Sequence, residues 1–316
     1  MLQSPPAAGS ATVKTLLFIA LGAIGVFYLY VLSRGLAKAR DGGAKVTPTV
    51  GGLATGFFAN FWDTLGIGSF ASTTAIFRQW KMVVDEWIPG TLNIGHTLPT
   101  IAQAYIFTQL VPVDSLTLVA MIAAAVLGSY LGAGFVSRWS RQRVQMVMGA
   151  ALLVAVVLLV MKQLQLMPGG GTELKLTGGK FVIGLVGNFV LGALMTMGIG
   201  LYAPCMILIY MLGMDPKAAF PIMMGSCAFL MPVASARFIR EKAFDARAVL
   251  GLAIGGVPAV LIAALIVKSL SLTLMLWLVV VVAAYTALTL LRASTRTQEI
   301  ASISTADEAG AKIPVT

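Results

Sequence analysis

The sequence predicts an all-α polytopic membrane protein: one N-terminal span, then two inverted repeats, each a broken, re-entrant helix hairpin followed by three full spans. Three observations carry this expectation. The 316 residues are 58% hydrophobic and only 11% charged, with a mean hydropathy of +0.91, more apolar surface than a water-soluble chain of this length can hide. Residues 64–89 recur as 196–221 at a constant shift of 132, with seven identities that include Thr64/Thr196, Gly66/Gly198, Gly68/Gly200 and Pro89/Pro221. Lys and Arg gather in alternate loops, the pattern of a chain that crosses a bilayer repeatedly with its cationic loops inside.

The elements follow in order. Residues 1–47 hold a polar terminus, a span at about 15–33 and a basic loop with Arg34, Lys38, Arg40 and Lys45. That stretch is long for a cleavable signal, and the charge asymmetry puts the N-terminus outside. Residues 48–162 form the first repeat, with apolar stretches at about 50–78, 87–110, 115–136 and 143–161. Residues 163–179 are Gly-rich and polar and read as a linker. Residues 180–292 form the second repeat, with stretches at about 180–213, 217–236, 248–267 and 271–291. Residues 293–316, rich in Ser, Thr and Ala, read as a disordered cytoplasmic tail.

Counting crossings requires the broken segments. The chain is inside at 34–49 and outside at 111–114, yet two apolar stretches lie between them. One stretch must therefore enter and leave on the same side. The 50–78 stretch qualifies because Gly66-Ile67-Gly68 interrupts its middle. The same reasoning from the opposite face makes 180–213 a second hairpin, broken at Gly198-Ile199-Gly200. This arrangement leaves only Lys14, Lys162, Lys175, Lys180, Lys217 and Lys268 outside, among 22 cationic residues. Duplicated, Gly-interrupted apolar segments are the sequence pointer to a transporter's midplane binding site.

The candidate site residues lie at and after the breaks. Ser69, Ser72 and Thr73 open the half-helix after the first break, where hydroxyls cap free N–H groups. A helix start also attracts anions through unsatisfied N–H groups and the positive dipole end. The second break leads into Tyr202, with Pro204 in a first helical turn. Asn93 and His96, the sole histidine, follow Pro89, and Ser226 and Cys227 follow Pro221. Polar groups at membrane depth normally face a cavity or a neighbouring helix, and His96 is suited to anion binding or proton relay. Asp63 is the one acid of twelve that falls within a span, which makes it the proton-coupling candidate. Gln103 and Asn188 are weaker candidates, and the Gly128/Gly132 and Gly251/Gly255 pairs have the spacing for close helix contact.

Several function classes are excluded. The hydrolase, phosphate-loop and dinucleotide motifs are missing, and one His cannot complete a catalytic triad, so no enzyme, catalytic residue or cofactor is expected. Cys205 and Cys227 have no metal-ligand spacing, and no metal is expected. The net charge of +10 suits an anionic leaflet, and no basic stripe interleaved with aromatics points to nucleic acid.

The Gly-Ile-Gly break, Gly213-Met214-Asp215-Pro216-Lys217-Ala218-Ala219, Gly225-Ser226-Cys227 and the link Ile239-Arg240-Glu241-Lys242-Ala243-Phe244-Asp245 resemble the sulfite exporter TauE/SafE family. The resemblance covers about 48–292 and is weaker in the first half. It implies a permease for a small sulfur-containing or organic anion, such as sulfite, a sulfonate or a short carboxylate. The chain departs from the family pattern at the first break, where the Gly run shrinks to Gly66-Ile67-Gly68. It departs again where the usual Gly-Thr-Ser reads Gly225-Ser226-Cys227 and Asn93-Ile94-Gly95. The expected protein is a secondary transporter of the cell (inner) membrane, C-terminus cytoplasmic, working by alternating access with proton coupling as an option. Its partners are the anion and the bilayer, with a homo-oligomer left open. An anion channel, or a membrane component of a larger complex, are the alternatives.

Overall fold

A computed structural model describes residues 8–136 except 67, residues 171–195 and 200–269, and isolated positions within 146–164 and 274–295. Thr196, Met197, Gly198 and Ile199 of the second break, most of the expected spans 143–161 and 271–291, and the tail beyond 295 lie outside the described residues, as do the surroundings of Gly132.

The described chain is all-helical. It runs α1 (Ala8–Asp41), α2 (Val50–Thr64), α3 (Ser69–Gln79), α4 (Ile88–Leu110), α5 (Ser115–Val136), α6 (Gly178–Met195), α7 (Tyr202–Met211), α8 (Ala219–Arg240) and α9 (Ala246–Ser269). Among the described residues four stretches are long and apolar enough to cross a membrane: Thr12–Asp41, Gly178–Met195, Pro216–Arg240 and Ala246–Ile266. The expected span at 87–110 is present as α4 but is too polar to join them. Its buried side includes Thr91, Asn93, His96, Thr97, Thr100 and Gln103, so its polarity is turned inward. The first helix is longer than expected at both ends.

The first break falls where the sequence places it. Helix α2 stops at Thr64, and Gly66 (φ +98°) and Gly68 (φ +83°) adopt left-handed backbone that side chains disfavour. A Cβ on Gly66 would also lie 2.6 Å from Cε of Met206 in α7, so the two broken segments approach closely. Gly68 occupies the N-cap of α3 and offers no side-chain cap.

The exits of the two short helices match. After α3, Trp80 N–H bonds Ile76 O, Lys81 bonds Arg78 O and Met82 bonds Phe77 O. After α7, Leu212 bonds Leu208 O, Gly213 bonds Tyr210 O and Met214 bonds Ile209 O, each pair displaced by the 132 residues of the sequence repeat. Lys81 (φ 49°) and Gly213 (φ 89°) take the same left-handed position. Short 3₁₀ turns, Asp85–Trp87 and Pro216–Ala218, then lead into α4 and α8. Asp114 accepts from Thr117 N at 2.9 Å to cap α5, and Asp245 accepts from Ala248 N at 2.8 Å to cap α9.

Packing interleaves the two halves. Helix α2 lies along α9, α5 along α6, and α4 against α8, while α1 rests outside on α8 and α4. The first two seams are too tight for any side chain. A Cβ on Gly56 would sit 2.5 Å from Gly251 O, and one on Gly255 2.1 Å from Leu53 O. On the other seam, Gly128 would meet Phe189 O at 1.9 Å and Gly192 would meet Ala125 O at 2.0 Å. Small residues that admit backbone-to-backbone contact are how helices associate without a hydrophobic driving force. Residues 171–177 of the expected linker are tied to both halves: Asp114 N–H bonds Leu174 O at 2.9 Å, and Asp215 N–H bonds Glu173 O at 2.9 Å.

Candidate functional site

Polar side chains on α2 and α4 meet beneath the breaks. On α2, Asn60, Asp63 and Thr64 share one face. On α4, His96, Thr100 and Gln103 stand at i, i+4 and i+7. All six are buried, so each needs a partner inside the protein.

Asp63 uses both oxygens. Oδ1 accepts from the backbone N–H of Ser69, the first residue of α3, and Oδ2 accepts from Nε2 of Gln103 at 2.9 Å. Gln103 Nε2 also donates to Thr64 Oγ1 at 2.8 Å, and its Oε1 accepts from the Tyr202 hydroxyl at 2.7 Å. One continuous network thus joins the start of α3 to the start of α7. Among the described residues no Lys, Arg or His forms an ion pair with Asp63.

His96 bridges two elements. Asn60 Nδ2 donates to Gly56 O at 2.7 Å, which turns Asn60 Oδ1 toward His96 Nδ1 at 3.0 Å. Nδ1 therefore carries the proton in the neutral ring, and Nε2 accepts from the Thr73 hydroxyl at 3.1 Å. Thr73 is on α3, so this imidazole ties α3 to α4. Helix α9 closes over the group: a Cβ on Gly256 would lie 2.4 Å from Asn60 Nδ2.

A cavity of about 20 Å³ lies between the breaks. Gly68 and Ser69 wall it from one side and Gly200, Leu201 and Tyr202 from the other. Asp63 and Thr100 complete its polar lining, and Met195, Cys227 and Met231 line it with sulfur. At the start of α7 the N-cap residue is Leu201, which has no side-chain acceptor for the first N–H groups.

The expected site residues are distributed as follows. Asp63, Ser69, Tyr202 and Cys227 line the cavity. Thr73 and His96 belong to the adjoining network. Ser72, Asn93 and Ser226 do not line it. Ser72 bonds back to Ser69 O at 3.0 Å, and Asn93 Nδ2 donates to Pro89 O at 2.9 Å. Ser226 accepts from Asn188 Nδ2 at 3.1 Å. The cap expected from the Ser/Thr cluster comes instead from Asp63, six residues upstream of Ser69. Thr64 and Thr100 were missed, although Thr100 lies on the same face of α4 as His96 and Gln103.

The second half does not repeat this chemistry. At the 132-residue shift, Asn60, Asp63, Thr73, His96 and Gln103 become Gly192, Met195, Cys205, Ala228 and Ser235. Cys227 Sγ instead contacts Met195 Sδ at 3.5 Å. The site is polar on one side and sulfur-rich on the other.

The chain matches no curated protein and no solved structure. Residues 180–314, the half that contributes Tyr202 and Cys227, match the family model described as Sulfite exporter TauE/SafE, and the resemblance read from the sequence is borne out over that stretch.

Proposed function

We propose that this protein is a secondary transporter that carries a small sulfur-containing or organic anion between the starts of α3 and α7. The observation that carries the reading is the cavity walled by both helix breaks, with Gly68 and Ser69 facing Gly200, Leu201 and Tyr202. Each helix start presents backbone N–H groups and a positive dipole end to one solute. The match to a sulfite exporter family supports the same substrate class.

The halves work as inverted repeats. Helices α2 and α3, of 15 and 11 residues, are about 22 and 16 Å long at 1.5 Å per residue, each short of the bilayer core. A hairpin that turns back at the break fits those lengths. The matched exits after α3 and α7 support equivalent roles, and the charge rule sets the hairpins in from opposite leaflets. The N-terminus is then outside and the C-terminus cytoplasmic. The cavity as it stands has room for about one water, so a multi-atom anion enters only when the two helix starts part. That movement, toward one face or the other, is alternating access, and a cavity too small for the anion favours it over a continuous pore.

Asp63 supplies the coupling. Its carboxylate occupies the N–H of Ser69 that an anion at α3 would use. Two negative charges at one helix start repel each other, so the anion binds with a proton on Asp63, and the two travel together. An uncoupled anion would be driven outward by about 2.3 kcal/mol per charge per 100 mV of inside-negative potential.

The test is uptake by the purified chain in liposomes, with sulfite, thiosulfate, a sulfonate, acetate and chloride, with and without a pH gradient. Saturable flux and counterflow of one anion support the reading. Large single-channel currents would replace it with a channel, and no flux from the chain alone would place it in a larger complex.

A further inference from the structure

We infer that the groove between α1 and the α8–α9 junction is a binding site for an anionic phospholipid. The groove has a volume of about 1160 Å³ and shares no lining residue with the cavity of the helix breaks. It gathers two basic clusters that lie some 200 residues apart in sequence. Helix α1 and the loop after it give Arg34, Lys38 and Lys45, and the α8–α9 junction gives Arg237, Arg240, Lys242 and Arg247.

Only one carboxylate, Asp245, lines the groove with these seven cations. That carboxylate already caps α9 through Ala248 N–H. Arg237 pairs with Glu241 at 2.9 Å, and Arg34 lies over the Tyr30 ring at 5.4 Å. Among the described residues no ion pair involves Lys38, Lys45, Arg240 or Lys242. Cations gathered on one surface repel unless an anion joins them.

The groove also has an apolar end, which decides between a soluble anion and a lipid. Along one face of α1 the residues run Phe27, Val31, Arg34, Lys38, and along α8 they run Val233, Arg237, Arg240. Both stripes pass from apolar to cationic in the direction of the chain. On α1 the change takes place over about 16 Å at 1.5 Å per residue. Phe27, Tyr30 and Val233 are 42%, 58% and 51% exposed, so the apolar end is open. A soluble phosphate has no use for that end. A phospholipid lays its acyl chains along Phe27 and Val233 and its phosphate among Arg34, Lys38 and Arg240. The volume exceeds the roughly 300–1,000 Å³ of ordinary small-ligand pockets, as a two-chain occupant requires. Basic pockets between helices at the cytoplasmic interface are established headgroup sites in other membrane proteins.

The test uses the full-length protein in detergent, titrated with phosphatidylglycerol or phosphatidylcholine, with bound lipid counted by native mass spectrometry and the thermal midpoint measured alongside. No transported solute is present, so the outcome is independent of the transport reading. Phosphatidylglycerol should remain bound and raise the midpoint, and phosphatidylcholine should not. The combined variant Arg34→Gln, Lys38→Gln, Arg240→Gln should lose at least tenfold in apparent affinity. Arg34→Lys with Arg240→Lys should retain binding, as should Lys175→Gln with Lys180→Gln outside the groove. If the triple variant does not fold, brominated phosphatidylglycerol should quench wild-type tryptophan fluorescence more than brominated phosphatidylcholine. That difference should vanish in Trp87→Phe, since Trp87 lines the groove. Equal binding of the two lipids, unchanged affinity in a folded triple variant, or protection by glycerol phosphate alone would overturn the inference. So would lipid binding that begins only when residues 296–316, with their acidic Glu299, Asp307 and Glu308, are removed.

Discussion

The carboxylate of Asp63, at the end of α2, accepts the backbone N–H of Ser69, at the start of α3. An acid therefore holds the first break closed across the two glycines that allow it, and it occupies the donor that a bound anion would need.

Asp63→Asn removes the charge and keeps the shape. The amide can still accept from Ser69, but its NH₂ then faces the NH₂ of Gln103, and leaving a buried donor unpaired costs about 1–3 kcal/mol. The expected result is a lower thermal midpoint in detergent and anion uptake that no longer responds to a pH gradient. Uptake that kept its full pH response would remove Asp63 from the coupling.

Tyr202→Phe deletes the hydroxyl that donates to Gln103 at 2.7 Å. Gln103 Oε1 is then buried without a partner, again at a cost of about 1–3 kcal/mol. Because Gln103 orients Asp63, flux should fall along with stability. Phe at this position with wild-type uptake and melting would show that the link between the half-helices is dispensable.

Gly128→Ala places a methyl group 1.9 Å from Phe189 O on the α5–α6 seam. Backbone cannot yield as a flexible side chain can, so the loss should reach or exceed the roughly 1–3 kcal/mol typical of overpacking. Gly22→Ala on α1, where a Cβ meets nothing within 4 Å, should melt like the wild type. Denaturation of both variants in the same detergent makes the comparison.

Lys217→Cys should react with an impermeant thiol reagent added to intact cells, and Lys81→Cys only with the reagent added to inside-out membrane vesicles. Cys205 and Cys227 are 0% and 1% exposed, so the native thiols contribute little background. Labelling of both new cysteines from one side would abolish the inverted arrangement.

Much of the helical frame was legible because its signals are local. Apolar length marked α1, α5, α8 and α9, and the glycines of the first break marked the stop between Thr64 and Ser69. The site was legible only in part. Asp63 and His96 stood out because acids and imidazoles are rare at membrane depth. Their surroundings stood out less: Thr64 and Thr100 are ordinary residues, and Gln103, a weaker candidate, gains its meaning from the turn of α4 that brings it to Asp63 and Thr64 on α2. Ser72, Asn93 and Ser226 have the right chemistry near the right breaks, yet their hydrogen bonds turn to Ser69 O, Pro89 O and Asn188. Sequence shows depth along a helix far better than rotation about it.

The glycine seams bear on how such a chain can be made. Among the described residues the closest backbone approaches of α2 are to α9, and those of α6 are to α5. Neither half is a self-sufficient unit, and a ribosome that has released the first hundred and sixty residues has made a piece whose bare glycine faces still wait for a mate. Those faces must stay soaked in lipid, or under a chaperone's guard, until the later helices arrive. Two separately synthesised fragments cut at the linker should for the same reason be degraded singly and rescue each other when produced together.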